Sequence, residues 1–450
     1  MTVPRDRLIW LAAAVLVPAA VVPAVAPRAA FVAAGVAALL AAVAVADAAL
    51  APRRARGLTV GWDEAIRMAK DRPGKVPLWI GNADGRRRRV RLGLAWPDCL
   101  AAEPETLEVL LPGGAEVARV SWTVTPRRRG LFVFDRAWAE AASPLGLWSA
   151  RRQIEADLEI RVYPNLAAER KTLSALLLRS GQIGVHAQRQ LGKGREFEKL
   201  REYIPGDGFE DIHWKATAKR GRPVTKVFQI ERTQEVYVVM DASRLSARRA
   251  SAVGDEPSGG PAVTVLERYL TAGMVLALAA EKHGDMFGFL TFSDRVDRFL
   301  RARSGRAHYG ACRDALYTVM PRIVAPDFDE LATFVRLHLR RRALLVVLTS
   351  LDDPVLAESF ARSVGLVCRH HLVLVNTPSA PLVGELFGDE AVADADDLYR
   401  RLGGHVRHEQ LLELERRLRR QGVGFRRLTS DAMAAELVSQ YVSVKRRQLL

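Results

Sequence analysis

Two long apolar runs at the N-terminus constrain this chain more than any other feature. Leu8 to Ala26 is apolar apart from Pro18 and Pro23, and Ala29 to Leu50 is apolar apart from Asp47. Each run is close to the ~20 residues that a helix needs to cross a bilayer. Only Pro27-Arg28 separates them, so residues 1–56 are expected to form a tight transmembrane hairpin, with helices over 8–26 and 29–50. Arg5 and Arg7 precede the pair, and Arg53, Arg54 and Arg56 follow it. The positive-inside rule then places both ends, and everything after them, in the cytoplasm. A competing reading makes Leu8 to Ala26 a signal peptide cleaved after Ala24-Val25-Ala26, although Pro27 directly after that site opposes cleavage. The second run would then stop transfer and leave the bulk of the chain inside. Asp47 lies within a turn of the exit, where an acid reads as an interfacial residue rather than a proton relay.

At 450 residues the chain has room for two or three domains. Residues 57–165 change to short alternating runs separated by Gly and Pro: Val76 to Ile80, Val90 to Leu94, Leu107 to Leu111, Val117 to Val124 and Leu131 to Phe134. That spacing predicts an antiparallel β-sandwich of immunoglobulin-like size. The densest basic run, Arg86 to Arg89, reads as a solvated hairpin arm, with anionic lipid headgroups as the alternative contact. The net charge of +16 raises nucleic acid as a partner, but the arginines are scattered and no stretch interleaves them with aromatics. Nucleic-acid binding is therefore not expected. Cys99, Cys312 and Cys368 stand far apart and read as small buried residues in a reducing compartment.

Residues 166–231 form a connector with one demanding stretch, Arg195 to Glu231. Phe197, Leu200, Tyr203 and Ile204 lead into a turn at Pro205-Gly206-Asp207-Gly208, where Asp207 or Asp211 can cap a short helix. Asp211, Lys215 and Lys219 share one charged face of that helix, with Trp214 beside it. Val224, Lys226, Phe228 and Ile230 then alternate as a strand. Trp214 is expected to be a buried anchor that ties the sandwich to the next domain. The bland alternative is a connector whose Trp packs and whose charges are solvated.

From residue 232 to 450 strands and helices alternate. Val236 to Met240, Met286 to Phe292, Ala343 to Thr349, His371 to Val375 and Val423 to Leu428 read as buried strands. Thr264 to Lys282, Phe328 to Leu339, Val355 to Val364, Leu411 to Arg420 and Ala432 to Val444 read as helices. This pattern predicts a doubly wound α/β domain with helices on both faces of a parallel sheet. Ligands of such sheets bind beyond the carboxyl ends of the strands, which brings Asp241, Thr349 and Asp352 near one another. Gly192-Lys193-Gly194 lacks the spacing of a phosphate loop, and His370-His371 reads as an ordinary strand-start pair. An enzymatic alternative remains: a membrane-tethered, metal-dependent hydrolase using the acidic and His cluster of residues 207–213.

The series Arg201-Glu202-Tyr203-Ile204-Pro205-Gly206-Asp207, then Ile212-His213-Trp214-Lys215-Ala216-Thr217-Ala218-Lys219, then a strand ending in Glu231, resembles the signature of the domain of unknown function 58 family. The likeness reaches upstream to Pro126 to Gly130 and Ser143 to Leu147. It departs at Glu210, where family members usually carry Arg. Asp241-Ala242-Ser243-Arg244-Leu245-Ser246 resembles the first metal loop of von Willebrand factor type A domains, with Leu245 standing at a ligand position.

These resemblances imply a bacterial, non-enzymatic scaffold or adaptor, multi-pass in the inner (plasma) membrane with its soluble domains in the cytoplasm. Its implied partners are a MoxR-type AAA+ ATPase and the lipid bilayer, in protein assembly or maturation, with self-association left open. The interaction residues implied are Arg201, Tyr203, Pro205, Gly206, Asp207, Ile212, Trp214, Lys215 and Ala218. Mg²⁺ is the one cofactor to weigh, on a degenerate set of Asp241, Ser243, Ser246 and Asp352, with a metal-free loop as the expectation. The second loop of such a site would fall at Gly305 to Ala315, which offers His308, Tyr309 and Cys312.

Overall fold

The computed structural model describes residues 1–85, 87–167, 191–205, 208–229, 234–250, 263–379, 383, 394–447 and 449, with the side chains of 23–24, 191–199 and 227–229 set aside. The chain divides into two compact units that meet at Asn165–Leu166.

The first unit opens with strand β1 (Thr2–Pro4) and helices α1 (Asp6–Val25) and α2 (Ala30–Ala55). Among the described residues one helix, Pro27–Ala55, is long and apolar enough to cross a membrane. Strands follow: β2 (Leu58–Trp62), β3 (Ala65–Ala69), β4 (Gly74–Asn82), β5 (Arg88–Leu94), β6 (Leu100–Glu103), β7 (Leu107–Leu111), β8 (Val117–Pro126), β9 (Gly130–Ala142) and β10 (Trp148–Tyr163). They form two sheets, a six-stranded one ordered β1-β10-β9-β5-β7 with β3 beside β10, and a four-stranded one ordered β2-β4-β8-β6. Alternate residues of both sheets, such as Val76, Leu78 and Ile80 of β4 and Val90 and Leu92 of β5, enter one core. Period-two alternation turns every second side chain to the same face, so each strand feeds the core while its other residues meet solvent. Trp122 sits fully buried there with its indole N–H on the Pro104 carbonyl (2.6 Å), edge-on to Trp96.

α2 packs on this unit through Ala44, Asp47, Ala51 and Ala55, a stripe at helical spacing. The small residues allow close approach to Ala150 and Trp148 of β10. Its C-terminal carbonyls are capped from outside: Arg88 donates to the carbonyls of Arg54 (2.6 Å) and Arg56 (3.2 Å). A cation at a helix C-terminus satisfies orphan carbonyls and the helix dipole together. The expectation of a solvated Arg86 to Arg89 arm is corrected for Arg88, which is buried against the helix end; Arg86 lies outside the described residues.

The second unit begins with a two-stranded antiparallel sheet of β11 (Leu191–Glu202) and β12 (Val224–Gln229), joined through helix α3 (Trp214–Arg220). Then come β13 (Glu235–Asp241), α4 (Val265–Lys282), β14 (Met286–Phe292), β15 (Val296–Arg303), α5 (Arg306–Leu316), α6 (Phe328–His338), β16 (Leu344–Leu348), α7 (Pro354–Val367), β17 (Leu372–Pro378), α8 (Ala395–Arg420), β18 (Gly424–Leu428) and α9 (Met433–Arg447). The sheet order is β15-β14-β13-β16-β17-β18, parallel except for the β14–β15 edge pair. Val236, Val238 and Met240 of β13 enter the core that α4 covers, while Tyr237 and Val239 enter the core shared with α6 and α7. A strand buried on both faces reads as the unbroken apolar run seen here. The Thr264 hydroxyl caps α4 by accepting from the Glu267 N–H (3.3 Å), one half of a capping-box sequence.

Three expectations are corrected here. Gly305 to Ala315 is not a ligand loop but helix α5, whose Cys312 is buried with its thiol pushed up to about 12 by desolvation. The antiparallel edge strand β15 was not anticipated, because Asp297, Arg298 and Arg301 interrupt its apolar pattern. Charges are what keep an edge strand from pairing with other chains. α8 starts at Ala395, well before Leu411.

Candidate functional site

Two places gather the residues that the sequence singles out. The first is the signature hairpin. His213 caps α3, its ring nitrogen accepting from the Ala216 N–H (3.1 Å). Gly221 ends the helix in the left-handed region at φ 67°, which a residue without Cβ adopts at no steric cost. The Thr217 hydroxyl accepts from Val224 N–H (3.1 Å), His213 N–H donates to the Val224 carbonyl (2.8 Å), and Tyr203 N–H donates to the Pro223 carbonyl (3.0 Å). Ile212 and Val224 are buried in this fold-back, and Glu202 pairs with Arg222 (2.7 Å).

The outward side is apolar. Trp214 is 67% exposed, Phe209 74% and Ile204 55%. Phe209 lies 6.2 Å, centroid to centroid, from Tyr203. Lys215, Ala218, Lys219 and Arg220 are exposed beside them. The expectation of Trp214 as a buried anchor is therefore wrong. Trp214 is the first residue of a seven-residue helix whose half-buried inner positions are Ala216 and Thr217. The buried member of the motif is Ile212, and the cap is His213 rather than Asp211. Pro205 and Arg201 are described, with Arg201 donating to the Glu202 carbonyl (3.3 Å), whereas Gly206 and Asp207 lie outside the described residues. Among the described residues no group of three His, Cys, Asp or Glu side chains is placed to hold a metal.

The second place is the carboxyl end of the β13 and β16 strands, where the chain reverses its winding direction. Asp241 is fully buried; its Oδ1 accepts from Ser243 N–H (2.8 Å) and its Oδ2 from the Thr349 hydroxyl (2.7 Å). Burial raises its carboxyl above the usual range, against the pull of those hydrogen bonds. The Ser243 hydroxyl accepts from Leu245 N–H (3.3 Å), and the Ser246 hydroxyl donates back to the Ser243 carbonyl (2.9 Å). Asp352 is engaged elsewhere. It accepts from Arg248 (3.1 Å) and from the Ser350 hydroxyl (2.9 Å), which itself accepts from Arg248 (2.8 Å). The four residues considered for Mg²⁺ are thus neighbours, but Leu245 brings no donor and Ser246 turns to the backbone. A guanidinium already neutralises Asp352, so the set fits a divalent ion poorly.

Sequence reasoning missed two arginines here. Arg248 is one. The other is Arg322, which bridges Asp294 (2.7 Å) and Asp297 (3.0 Å) beside the buried Ser293. The arginines are so abundant and scattered that neither stood out. The Tyr269 hydroxyl, fully buried near these groups, has no hydrogen-bond partner among the described residues, and burial raises its pKa well above the usual value.

A family model described as "Protein of unknown function DUF58" matches residues 199–386, which include the hairpin from the end of β11 onward and both loops of this edge. Uncharacterized protein Rv1480 of Mycobacterium tuberculosis is 26% identical over 242 residues, 52% of this chain and 72% of its own length. Uncharacterized protein Mb1516 of Mycobacterium bovis aligns to the same extent. Among solved structures, a conserved hypothetical protein BatB from Bacteroides thetaiotaomicron is 13% identical, covers 48% of this chain and 99% of its own, and has a TM-score of 0.29. An aerotolerance-related membrane protein from Bacteroides fragilis is 14% identical, covers 47% and 98%, and has a TM-score of 0.27. Overlaps of that size do not establish a shared architecture.

Proposed function

We propose that the chain is a membrane-anchored, non-enzymatic scaffold that brings cytoplasmic domains to a MoxR-type AAA+ ATPase during protein assembly or maturation. The observation that carries this reading is the outward display of Ile204, Phe209 and Trp214 on a tightly capped hairpin. Large apolar side chains clustered at a surface mark contact sites, and Trp is the residue type most enriched among interface hot spots. Lys215, Lys219 and Arg220 at its rim favour an acidic patch on the partner. The sheet order, with one antiparallel edge strand, supports a von Willebrand factor type A-like α/β domain, and the two-sheet core supports an immunoglobulin-like sandwich.

In this reading α1 and α2 cross the bilayer as a hairpin. The basic residues at both its ends keep the following domains inside. A reporter fused after Leu450 is expected to be active on the cytoplasmic side; an exported reporter overturns the topology. The partner is tested by affinity capture of the full chain from solubilised membranes, with and without ATP. Trp214→Ala and Lys215→Glu should lose the ATPase while melting like the parent. Undiminished capture by both variants overturns the docking patch.

A further inference from the structure

The turn between β9 and β10, Ser143 to Leu147, meets α2 at the height of Asp47, whose carboxylate accepts from the Leu145 and Leu147 N–H groups. From Ala30 to Asp47 the helix rises about 26 Å at ~1.5 Å per residue, close to the ~30 Å of a bilayer's hydrocarbon core. A second mark gives the same height. Arg7, in the first turn of α1, lies against Gly146, where a Cβ would stand 3.5 Å from its Nη1. Measured back along α1, Arg7 is about 27 Å from Val25. We propose that the β9–β10 turn touches the membrane in its own right: Leu145 enters the outer acyl layer, and Arg7 beside it lies among the headgroups. This rests on the reading of α2 as a bilayer-crossing helix and extends that contact from the helices to the sandwich.

The turn is built for such a place. Backbone at a hydrocarbon boundary must satisfy its polar groups inside the protein. Here Ser143 N–H donates to the Trp148 carbonyl (2.8 Å) and Gly146 N–H to the Ser143 carbonyl (3.1 Å). Leu145 and Leu147 donate to Asp47, and Pro144 has no N–H to place. The Leu147 carbonyl accepts from Arg5 N–H (2.9 Å). While this backbone is tied down, the Leu145 side chain is left 57% exposed, next to an exposed Pro144. Two tryptophans stand just inside the same level. Trp10 of α1 is 74% exposed, and Trp148 donates its indole N–H to the Ala44 carbonyl of α2 (2.8 Å). Amphipathic aromatic rings gather at membrane boundaries. β10 then leaves the turn alongside α2, with Ala150 packed on Ala51 and Ala55, so the sheet leads away from the hydrocarbon and its turn is the end that meets lipid.

The test uses the full chain in phosphatidylcholine–phosphatidylglycerol vesicles, in a Cys99→Ser/Cys368→Ser background. One added cysteine carries a nitrobenzoxadiazole label whose emission reports its surroundings. Leu145→Cys is compared with Trp10→Cys and with Val133→Cys, all three at exposed side chains. Val133 lies on β9 about 30 Å along the strand from Ala142, at ~3.3 Å per residue. The label on Leu145→Cys is expected to emit to the blue of that on Val133→Cys. It should also lose more than about half its intensity to lipid carrying a doxyl quencher near the headgroup, as the Trp10→Cys label does. The Val133→Cys label should keep its intensity. Quenching at Trp10→Cys without quenching at Leu145→Cys overturns the proposal and leaves the spanning helices standing. Quenching at neither position overturns the spanning reading, and the proposal falls with it. Equal quenching at all three positions shows that the turn is no special contact and overturns the proposal as well.

Discussion

The Asp47 carboxylate, on the helix that carries the membrane-span composition, accepts a hydrogen bond from the Ser143 hydroxyl at the β9–β10 turn. It also accepts from the Leu145 N–H (3.0 Å) and the Leu147 N–H (3.2 Å), while Trp148 donates its indole N–H to the Ala44 carbonyl (2.8 Å). An acid that reads in sequence as an interfacial residue is in fact a buried clasp. It fixes the end of α2 to the turn between β9 and β10.

Asp47→Ala should therefore be costly. It leaves three donors without their acceptor, each worth ~1–3 kcal/mol when buried, so a total near ~3 kcal/mol or more is expected. Ser143→Ala removes that single bond and also the acceptor of Trp148 N–H (3.0 Å), and should cost ~1–3 kcal/mol. Thermal melting of the detergent-solubilised chain checks both. Parental melting of Asp47→Ala would show that the clasp does not hold.

At the signature hairpin the expected order of effects is the reverse of what residue size suggests. Ile212 is 6% exposed, so Ile212→Ala should cost ~2–5 kcal/mol. Trp214→Ala, at a mostly exposed position, should stay within ~0.5 kcal/mol. Chemical denaturation of the two variants side by side decides it. A Trp214→Ala loss as large as that of Ile212→Ala would restore the buried-anchor reading.

The contrast between Trp214 and Ile212 also shows what sequence can reveal. The strands β7 and β14 were legible to the residue, because period-two alternation and an unbroken apolar run report which faces are buried. Helix α4 announced itself through Thr264 and Glu267 at its start. Burial of a single aromatic has no such periodic signature, so Trp214 was misplaced by its chemistry alone. Arg248 and Arg322 were invisible for a different reason: their partners lie about a hundred residues away for Asp352 and about 25 for Asp297 and 28 for Asp294, and nothing local marks the pairing.

Histidine burial gives the α/β domain a pH dependence. Burial lowers the pKa of His283, reinforced by Lys445, and lowers that of His371, reinforced by His370. Both stay neutral in the folded chain while the unfolded chain takes up protons near the ordinary value of 6.5. Their contribution is full above that value and is lost as pH falls from it toward the lowered folded values. Melting temperature should drop between about pH 7 and pH 5. The double variant His283→Gln/His371→Gln should flatten that slope; an unchanged slope assigns the acid sensitivity to other groups.

The last element, α9, is held by an ion pair whose acid is buried and whose lysine is partly exposed. Asp285, 1% exposed, accepts from Lys445 Nζ (2.7 Å), from the Tyr441 hydroxyl and from Gln234 N–H (3.2 Å). Burial and the adjacent carboxylate push the Tyr441 hydroxyl far above its ordinary range, so it stays a donor at every working pH. Removing one partner strands the other charge, which costs ~3–5 kcal/mol, whereas removing both avoids the stranded charge. Lys445→Met is therefore expected to destabilise more than the double variant Asp285→Leu/Lys445→Met, although the double variant carries more substitutions. Tyr441→Phe should cost ~1–3 kcal/mol, as for a hydrogen bond to a charged group. Denaturant midpoints for the three variants check both expectations. A double variant at least as destabilised as Lys445→Met would mean that packing, not the pair, fastens α9 to the sheet.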